Sequence, residues 1–167
     1  MTYLEVDVVV IGAGVAGLML TKKLADLGIS LALIERNEKS AMGPSTKNEG
    51  WLHRGTYHAN SIKDRQMAIQ VSRRCIYGYE QVVRYAPEAV EDINIPSFAV
   101  LKNEELYDDV ISRWKEADVS FVEMNKNSVE HILPEINAEN VSSIFRVKDL
   151  GINTRILYSK LLTHSEN

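Results

Sequence analysis

One cysteine, four prolines and no long apolar run are the first features of this 167-residue sequence. The lone Cys75 excludes an internal disulfide and supplies no thiolate cluster, so no metal site is expected and a reducing, cytoplasmic setting is. The uncharged run from Val8 to Leu20 is interrupted by glycines and too short to cross a bilayer, so no membrane span is expected. Positive charge is missing where a secretory leader needs it, because Glu5 and Asp7 stand there. An excess of basic residues is also missing. Nineteen Lys and Arg against twenty-three Asp and Glu leave a net charge of -4, which gives no electrostatic case for nucleic acid. What remains is 45% apolar and 25% charged, the make-up of a globular chain about one domain long.

The sequence opens on a β-branched run, Glu5 to Ile11, that reads as a strand buried on both faces. Leu18 to Leu27 carries leucines at helical spacing and stops before Gly28, a natural helix end. Ser30 to Ile34 is a second apolar strand closed by Glu35, which completes a βαβ unit with a right-handed crossover. From Asn37 to Asn60 glycines and small polar residues crowd a stretch without periodicity, long enough to be a functional loop. A long helix is expected from Ile62 to Ala86, ended by Pro87, with Lys63, Asp64, Arg65, Arg73 and Arg74 on a solvated face. Beyond Pro96 the pattern changes to mixed α+β. It reads as a strand at Ser97 to Leu101, then a helix from Glu104 to Ala117 capped by Asn103, then a strand at Ser120 to Met124. A short helix at Ser128 to Leu133, a strand at Val141 to Val147 and a helix from Thr154 to His164 capped by Asn153 complete the expected elements.

The glycine pattern Gly12, Gly14, Gly17 gains its meaning from the strand before it, the helix after it and the acid at position 35. Gly12 allows the tight turn, Gly14 lets a diphosphate approach the backbone, and Gly17 lets the helix pack close to the strand. The backbone from Gly12 through Ala13, Gly14, Val15 and Ala16 to Gly17 thus offers amide hydrogens and the positive end of a helix to a dinucleotide. Glu35 is placed to accept from ribose hydroxyls, and its charge disfavours a 2'-phosphate. The pattern alone leaves NAD and FAD both open.

The segment from Asp7 to Gly17, continued through Glu35 and Arg36, resembles the opening of FAD-dependent oxidoreductases of the D-amino-acid oxidase superfamily. Thr21 stands where that family usually has alanine. Ser45 to Tyr57 resembles the loop that follows the acid in 2-hydroxyglutarate oxidases and glycerol-3-phosphate dehydrogenases, with Leu52-His53-Arg54-Gly55 matching a hydrophobic-His-x-Gly sequence. The resemblance implies FAD as cofactor, with Ser45, Thr46, Asn48 and Gly50 beside it. For His53 it leaves three roles open: a contact to flavin or substrate, a covalent flavin attachment, or a structural histidine. Arg54 and Tyr57 are candidates to clamp a substrate carboxylate. His58 and His131 read as ordinary loop and helix residues, and Cys75 as core.

The segment from Ser97 to Leu157 is similar to that family's substrate domain, including a turn at Glu130 to Pro134 and a return at Asp149 to Leu157. Asn153-Thr154 stands where the family usually has Asp-Pro. The expected architecture is therefore α/β: a Rossmann-like FAD-binding βαβ sheet with part of a second, mixed α+β substrate domain. Residues 1–90 would be the start of the FAD-binding domain, 91–148 the partial substrate domain, and 149–167 a return helix. The resemblance further implies a truncated chain, the N-terminal portion of a flavoenzyme that oxidises a small amino acid, amine or 2-hydroxy acid. Such a portion would need a complementary C-terminal polypeptide for turnover. Two alternatives remain: an NAD-binding Rossmann dehydrogenase fragment, and a non-catalytic dinucleotide-binding or partner module.

Overall fold

The computed structural model describes residues 3–125, 131, 134 and 140–163. The chain forms two compact units, one made of residues up to Gly50 together with those from Asn153 onward, the other of Trp51–Ile152. The long helix expected in the first domain therefore belongs to the second unit, and the residue-90 boundary falls inside that unit.

In the first unit, β1 (Val8–Ile11) and β2 (Leu31–Ile34) pair in parallel with Val8 opposite Leu31 and Ile11 opposite Ile34. Helix α1 (Val15–Asp26) crosses between them and ends at Leu27, followed by Gly28 at φ +72°, a left-handed stop that glycine takes without strain. The helix starts three residues earlier than its leucine spacing suggested, because Gly14 rather than a capping side chain opens it. Helix α5 (Thr154–Thr163) packs on α1. Its first turn is held by Asn153 Oδ1, which accepts from the amides of Arg155 at 3.1 Å and Ile156 at 3.2 Å, the expected cap. Leu18, Leu157 and Leu161 are buried.

The two strands differ from expectation. Only Val10 among their residues is buried, while Val9 is 50%, Ile34 53% and Ile11 84% exposed. The sequence predicted strands covered on both faces. A two-stranded sheet with a single crossover leaves its outer face and both edges uncovered.

The second unit is mixed α+β. Its sheet has the order β4 (Ser97–Leu101), β6 (Ser143–Val147), β5 (Phe121–Met124), antiparallel throughout, with Phe145 opposite both Ala99 and Glu123. Helix α4 (Tyr107–Glu116) packs its Val110, Ile111 and Trp114 into a core with Phe145, Val147, Val119 and Ala59. A 3-10 turn at Glu104–Leu106 precedes it, and Asn103 caps that turn by accepting from the Glu105 amide at 2.9 Å. Helix α3 (Arg65–Tyr85) is capped by Asp64, which accepts from the Met67 amide at 2.6 Å. Its charges do more than meet solvent: Arg65 reaches Glu116 at 2.8 Å and Asp109 at 3.2 Å, and Arg73 donates to the Glu116 carbonyl at 2.7 Å. A two-residue antiparallel pair, β3 (Trp51–Leu52) with β7 (Leu150–Gly151), joins the unit's two ends. The expected short helix at 128–133 and the turn at 130–134 lie outside the described residues except for His131 and Pro134, and His131 is helical and exposed.

Neither the β3–β7 pair nor one of the helices was foreseen. Helix α2 (Thr56–Ser61) sits within the stretch read as loop, so His58 is helical rather than a loop residue. The backbone enters it through Gly55 at φ +91°, where a Cβ would also press on the Ser72 carbonyl oxygen at 3.0 Å.

Candidate functional site

The first unit gathers the glycine turn, the end of β2 and the following loop around one cavity of about 420 Å³, whose lining includes Gly12, Gly14, Glu35, Arg36, Asn37 and Ser45. Gly12 turns the chain at φ +98°, and its amide donates to the Ile34 carbonyl at 2.7 Å, which fixes the turn to the end of β2. Gly17 packs so tightly that a Cβ there would lie 1.8 Å from the Gly12 carbonyl oxygen. Glu35 points at the turn. Its Oε2 accepts from the Ala13 amide at 2.7 Å, and its Oε1 accepts from the Asn37 amide at 2.9 Å and the Asn37 side chain at 2.6 Å. The Asn37 and Ala13 amides hold this carboxyl below the usual glutamate range, so it is an anion at neutral pH.

The loop residues fold back on the same turn. Ser45, in a 3-10 turn at Pro44–Thr46, accepts from the Val15 amide through Oγ at 3.2 Å. Thr46 donates to the Ala41 carbonyl at 2.6 Å, and the Ala41 amide donates to the Ala13 carbonyl at 2.9 Å. Asn48 bridges the Ser45 carbonyl at 3.1 Å and the Gly50 amide at 2.9 Å. Thus Gly12, Ala13, Gly14, Val15, Glu35, Arg36 and Ser45 cluster, whereas Thr46, Asn48 and Gly50 brace the loop that carries Ser45. Ala16 and Gly17 lie in the first turn of α1.

Tyr158, on α5, escaped the sequence reading. It is buried, and its hydroxyl faces the Ser45 side chain and the Val15 amide at the mouth of α1. Burial pushes its phenol up, while those two neighbours pull the other way. No local pattern marks it, because it meets the turn only through packing of α5 on α1.

A dinucleotide fits this arrangement on the structure's own terms. The helix mouth is met by two hydroxyls, Ser45 and Tyr158, which can turn to donate to phosphate oxygens. A Cβ at Gly14 would stand 3.2 Å from Ser45 Oγ, so glycine keeps the approach open. The Glu35 carboxylate retains lone pairs for a diol beside the turn.

The second unit holds His53 in a separate setting. His53 Nδ1 lies 2.9 Å from Asp149 Oδ2, and Asp149 Oδ1 accepts from the Arg54 amide at 2.8 Å and the Thr56 hydroxyl at 3.0 Å. Tyr57 stacks on the His53 ring at 5.3 Å between centroids, and His58 meets it edge-on at 5.7 Å. His53, Tyr57 and Asp149 line a cavity of about 520 Å³ whose other walls are largely apolar, including Phe98, Val110 and Trp114. Asp149 was legible only as the acid that opens the return segment.

Arg54 does not serve as expected. Its guanidinium donates to Ser120 at 3.1 Å, lies 3.6 Å from Glu80 and stacks over Tyr79 at 5.7 Å, so it is committed within the unit. Cys75 is half-buried rather than core, with its sulfur 3.6 Å from His58 Nδ1. Burial, with a smaller push from Asp149, raises its thiol. Among the described residues no group of histidine, cysteine and acidic side chains is arranged to hold a metal ion.

The family model of the FAD dependent oxidoreductases (DAO) matches residues 7–147. The chain belongs to that family. FAD is the family's cofactor, its members are enzymes, and the glycine turn with Glu35 lies within the matched residues. No curated protein matches the chain.

Solved structures share the family's fold. Glycine oxidase from Geobacillus kaustophilus is 18% identical with a TM-score of 0.69, over 96% of this chain and 44% of that one. L-alpha-glycerophosphate oxidase from Mycoplasma pneumoniae, solved with FAD bound, is 17% identical with a TM-score of 0.77, over 98% and 43%. L-proline dehydrogenase from P. horikoshii is 14% identical with a TM-score of 0.72, over 99% and 42%. The chain spans less than half the length of these structures. It is a Rossmann-like βαβ unit with part of a mixed α+β domain, and among the described residues no helix is long and apolar enough to cross a membrane.

Proposed function

We propose that this chain is the FAD-binding start of an oxidoreductase that oxidises a small amino acid, amine or 2-hydroxy acid. The observation that carries the reading is the Glu35 carboxylate held at 2.7 Å from the Ala13 amide, which sets a sugar acceptor beside a phosphate-binding turn. Within this reading the backbone at the opening of α1 and the Ser45 hydroxyl hold the diphosphate, and Glu35 holds the adenosine ribose. FAD, when bound, supplies the acceptor for the hydride that leaves the substrate carbon.

The chain's own residues supply binding and orientation. In the second unit His53 and Asp149 line the cavity that takes the substrate in this reading. The apolar walls of this cavity exclude water and hold the rest of a small substrate. Arg54, whose guanidinium is engaged, is not available as a carboxylate clamp, and no arginine is among the described residues that line this cavity.

The uncovered apolar faces of β1 and β2 support a further proposal of ours, that a complementary polypeptide, C-terminal in the longer relatives, packs on this sheet. Mixing the purified chain with FAD and, separately, with NAD tests the reading. Saturable quenching of flavin fluorescence without NAD binding is expected. NAD binding alone would support the nicotinamide alternative, and binding of neither would support a non-catalytic partner module.

A further inference from the structure

Arg146 stands on the middle strand β6 between two apolar cross-strand neighbours, Phe98 on β4 and Val122 on β5. A charge so placed gains nothing from its pairing, since cross-strand charges stabilise a sheet when an opposite charge faces them. Among the described residues its guanidinium forms no ion pair, and neither does the ammonium of Lys148 two positions on. Both cations line a second cavity of this unit, about 340 Å³, together with Tyr79, Ile95, Pro96 and Leu150.

Tyr79 comes from α3 and is only 7% exposed, yet its hydroxyl meets no hydrogen-bond partner among the described residues. Buried hydroxyls nearly always have a partner, so an unmet one that shares a cavity with two unpaired cations points to a ligand. Burial pushes this phenol up, the Arg54 guanidinium pulls it down and the Asp149 charge adds to the rise, which leaves a neutral O–H able to donate. The other charges around it are already met. Asp149, which also lines the cavity, is held by the Arg54 amide, the Thr56 hydroxyl and the His53 ring. Arg54, over the Tyr79 ring, lies 3.6 Å from Glu80. Asp92 accepts from the Asn94 amide and side chain at 2.9 and 2.8 Å. The positive charges at 146 and 148 are what is left over.

We propose that Arg146, Lys148 and Tyr79 form a binding site for a small doubly charged oxyanion, a phosphate group or a dicarboxylate. The guanidinium supplies paired N–H donors, the ammonium a compact charge and the phenol a single O–H, and two cations match two negative charges. This cavity shares only Val147 and Asp149 with the larger one that His53 lines, so the site stands apart from the proposed function.

The test is isothermal titration of the whole chain with inorganic phosphate and, separately, with malonate, in low salt at mildly alkaline pH. Saturable binding of at least one probe is expected, and the tighter of the two assigns the ligand class. Arg146→Gln should weaken it roughly tenfold to a hundredfold, the worth of a charge-assisted hydrogen bond. Tyr79→Phe removes one oxygen and keeps the ring beneath Arg54, so a loss of about twofold to tenfold is expected. Arg74→Gln removes an exposed cation elsewhere on α3 and should leave the affinity unchanged. Absence of saturable binding by both probes overturns the proposal. So does an equal loss in Arg74→Gln and Arg146→Gln, or full affinity in Tyr79→Phe, since either would mean diffuse attraction to surface charge. Should Arg146→Gln fail to fold, Lys148→Gln, at an exposed position outside the strand, carries the same expectation and the same refutation.

Discussion

Gly17→Ala is the most demanding test of the phosphate turn. A Cβ at position 17 would lie 1.8 Å from the Gly12 carbonyl oxygen, and real Cβ atoms keep at least 3.0 Å, so the turn or the helix must move by about 1.2 Å. The obstacle is backbone, so no side-chain rotation relieves it. Overpacking of this kind costs about 1–3 kcal/mol of stability. The same movement misaims the amides that open α1. A hydrogen bond to a charged group contributes about 1.5–3 kcal/mol, so losing one reduces FAD affinity roughly tenfold to a hundredfold. Flavin-fluorescence titration measures the affinity and urea unfolding the stability. Gly78→Ala is the internal control. Gly78 lies inside α3 with nothing within 4 Å of a Cβ, so alanine there should stabilise by about 0.5–1 kcal/mol and leave flavin affinity alone. A Gly17→Ala chain that folds and binds FAD within about threefold of wild type would refute the close-packing argument.

Thr21 is 2% exposed and its hydroxyl finds no partner among the described residues, so Thr21→Val should raise stability by about 1 kcal/mol in urea unfolding, and a loss would show the hydroxyl to be satisfied. Phe145 is fully buried and packs edge-on to Trp114 at 5.1 Å, so Phe145→Ala should cost about 3–5 kcal/mol in the same assay. Glu35 has a depressed folded pKa. Its contribution is therefore complete above the ordinary glutamate value and fades as pH falls through the lower folded value, and the Ala13 amide shift should titrate with a midpoint below 4.5. A midpoint at or above that value would mean the Ala13 and Asn37 amides do not hold the carboxylate. The Cys75 thiol, raised by burial, should react with a thiol reagent more slowly than a free cysteine at neutral pH, with a rate still climbing beyond the usual thiol range.

What could be read from the sequence was what is local. The β1–turn–α1–β2 unit and Glu35 carry their signals within thirty or so residues, and the structure draws the acid to the turn through the Ala13 amide. The caps at Asn103 and Asn153 were likewise legible, since each acts on its own next turn. Helix α2 was not. Thr56, Tyr57, His58 and Asn60 are weak helix formers, and the helix is held from outside. Trp114 Nε1 donates to the Thr56 carbonyl at 3.0 Å, and Arg113 donates to the Ala59 and Ile62 carbonyls at 3.4 and 3.0 Å. Strands β3 and β7 are two residues each, too short for any alternation to show. The expected burial of β1 and β2 failed because an apolar run reports what a strand could bury against, not whether that layer is there. Asp149 and Tyr158 were missed for a common reason: each meets its partners across some ninety to one hundred and forty residues, and only the fold supplies that proximity.

The small pairing of Trp51 with Gly151 and Leu52 with Leu150 has a kinetic consequence for the whole chain. Helix α5 must find α1 across the entire intervening segment, and closing so long a flexible loop would cost on the order of 4 kcal/mol in chain entropy. Because β3 and β7 clasp that segment at its two ends, assembling the inserted body first brings Asn153 back beside the point where the chain left. The order of events during synthesis follows: the interior body sets early, and the first unit matures only after α5 has emerged. Pulsed hydrogen exchange would record this as protection of the α4 and β6 amides ahead of those in α1.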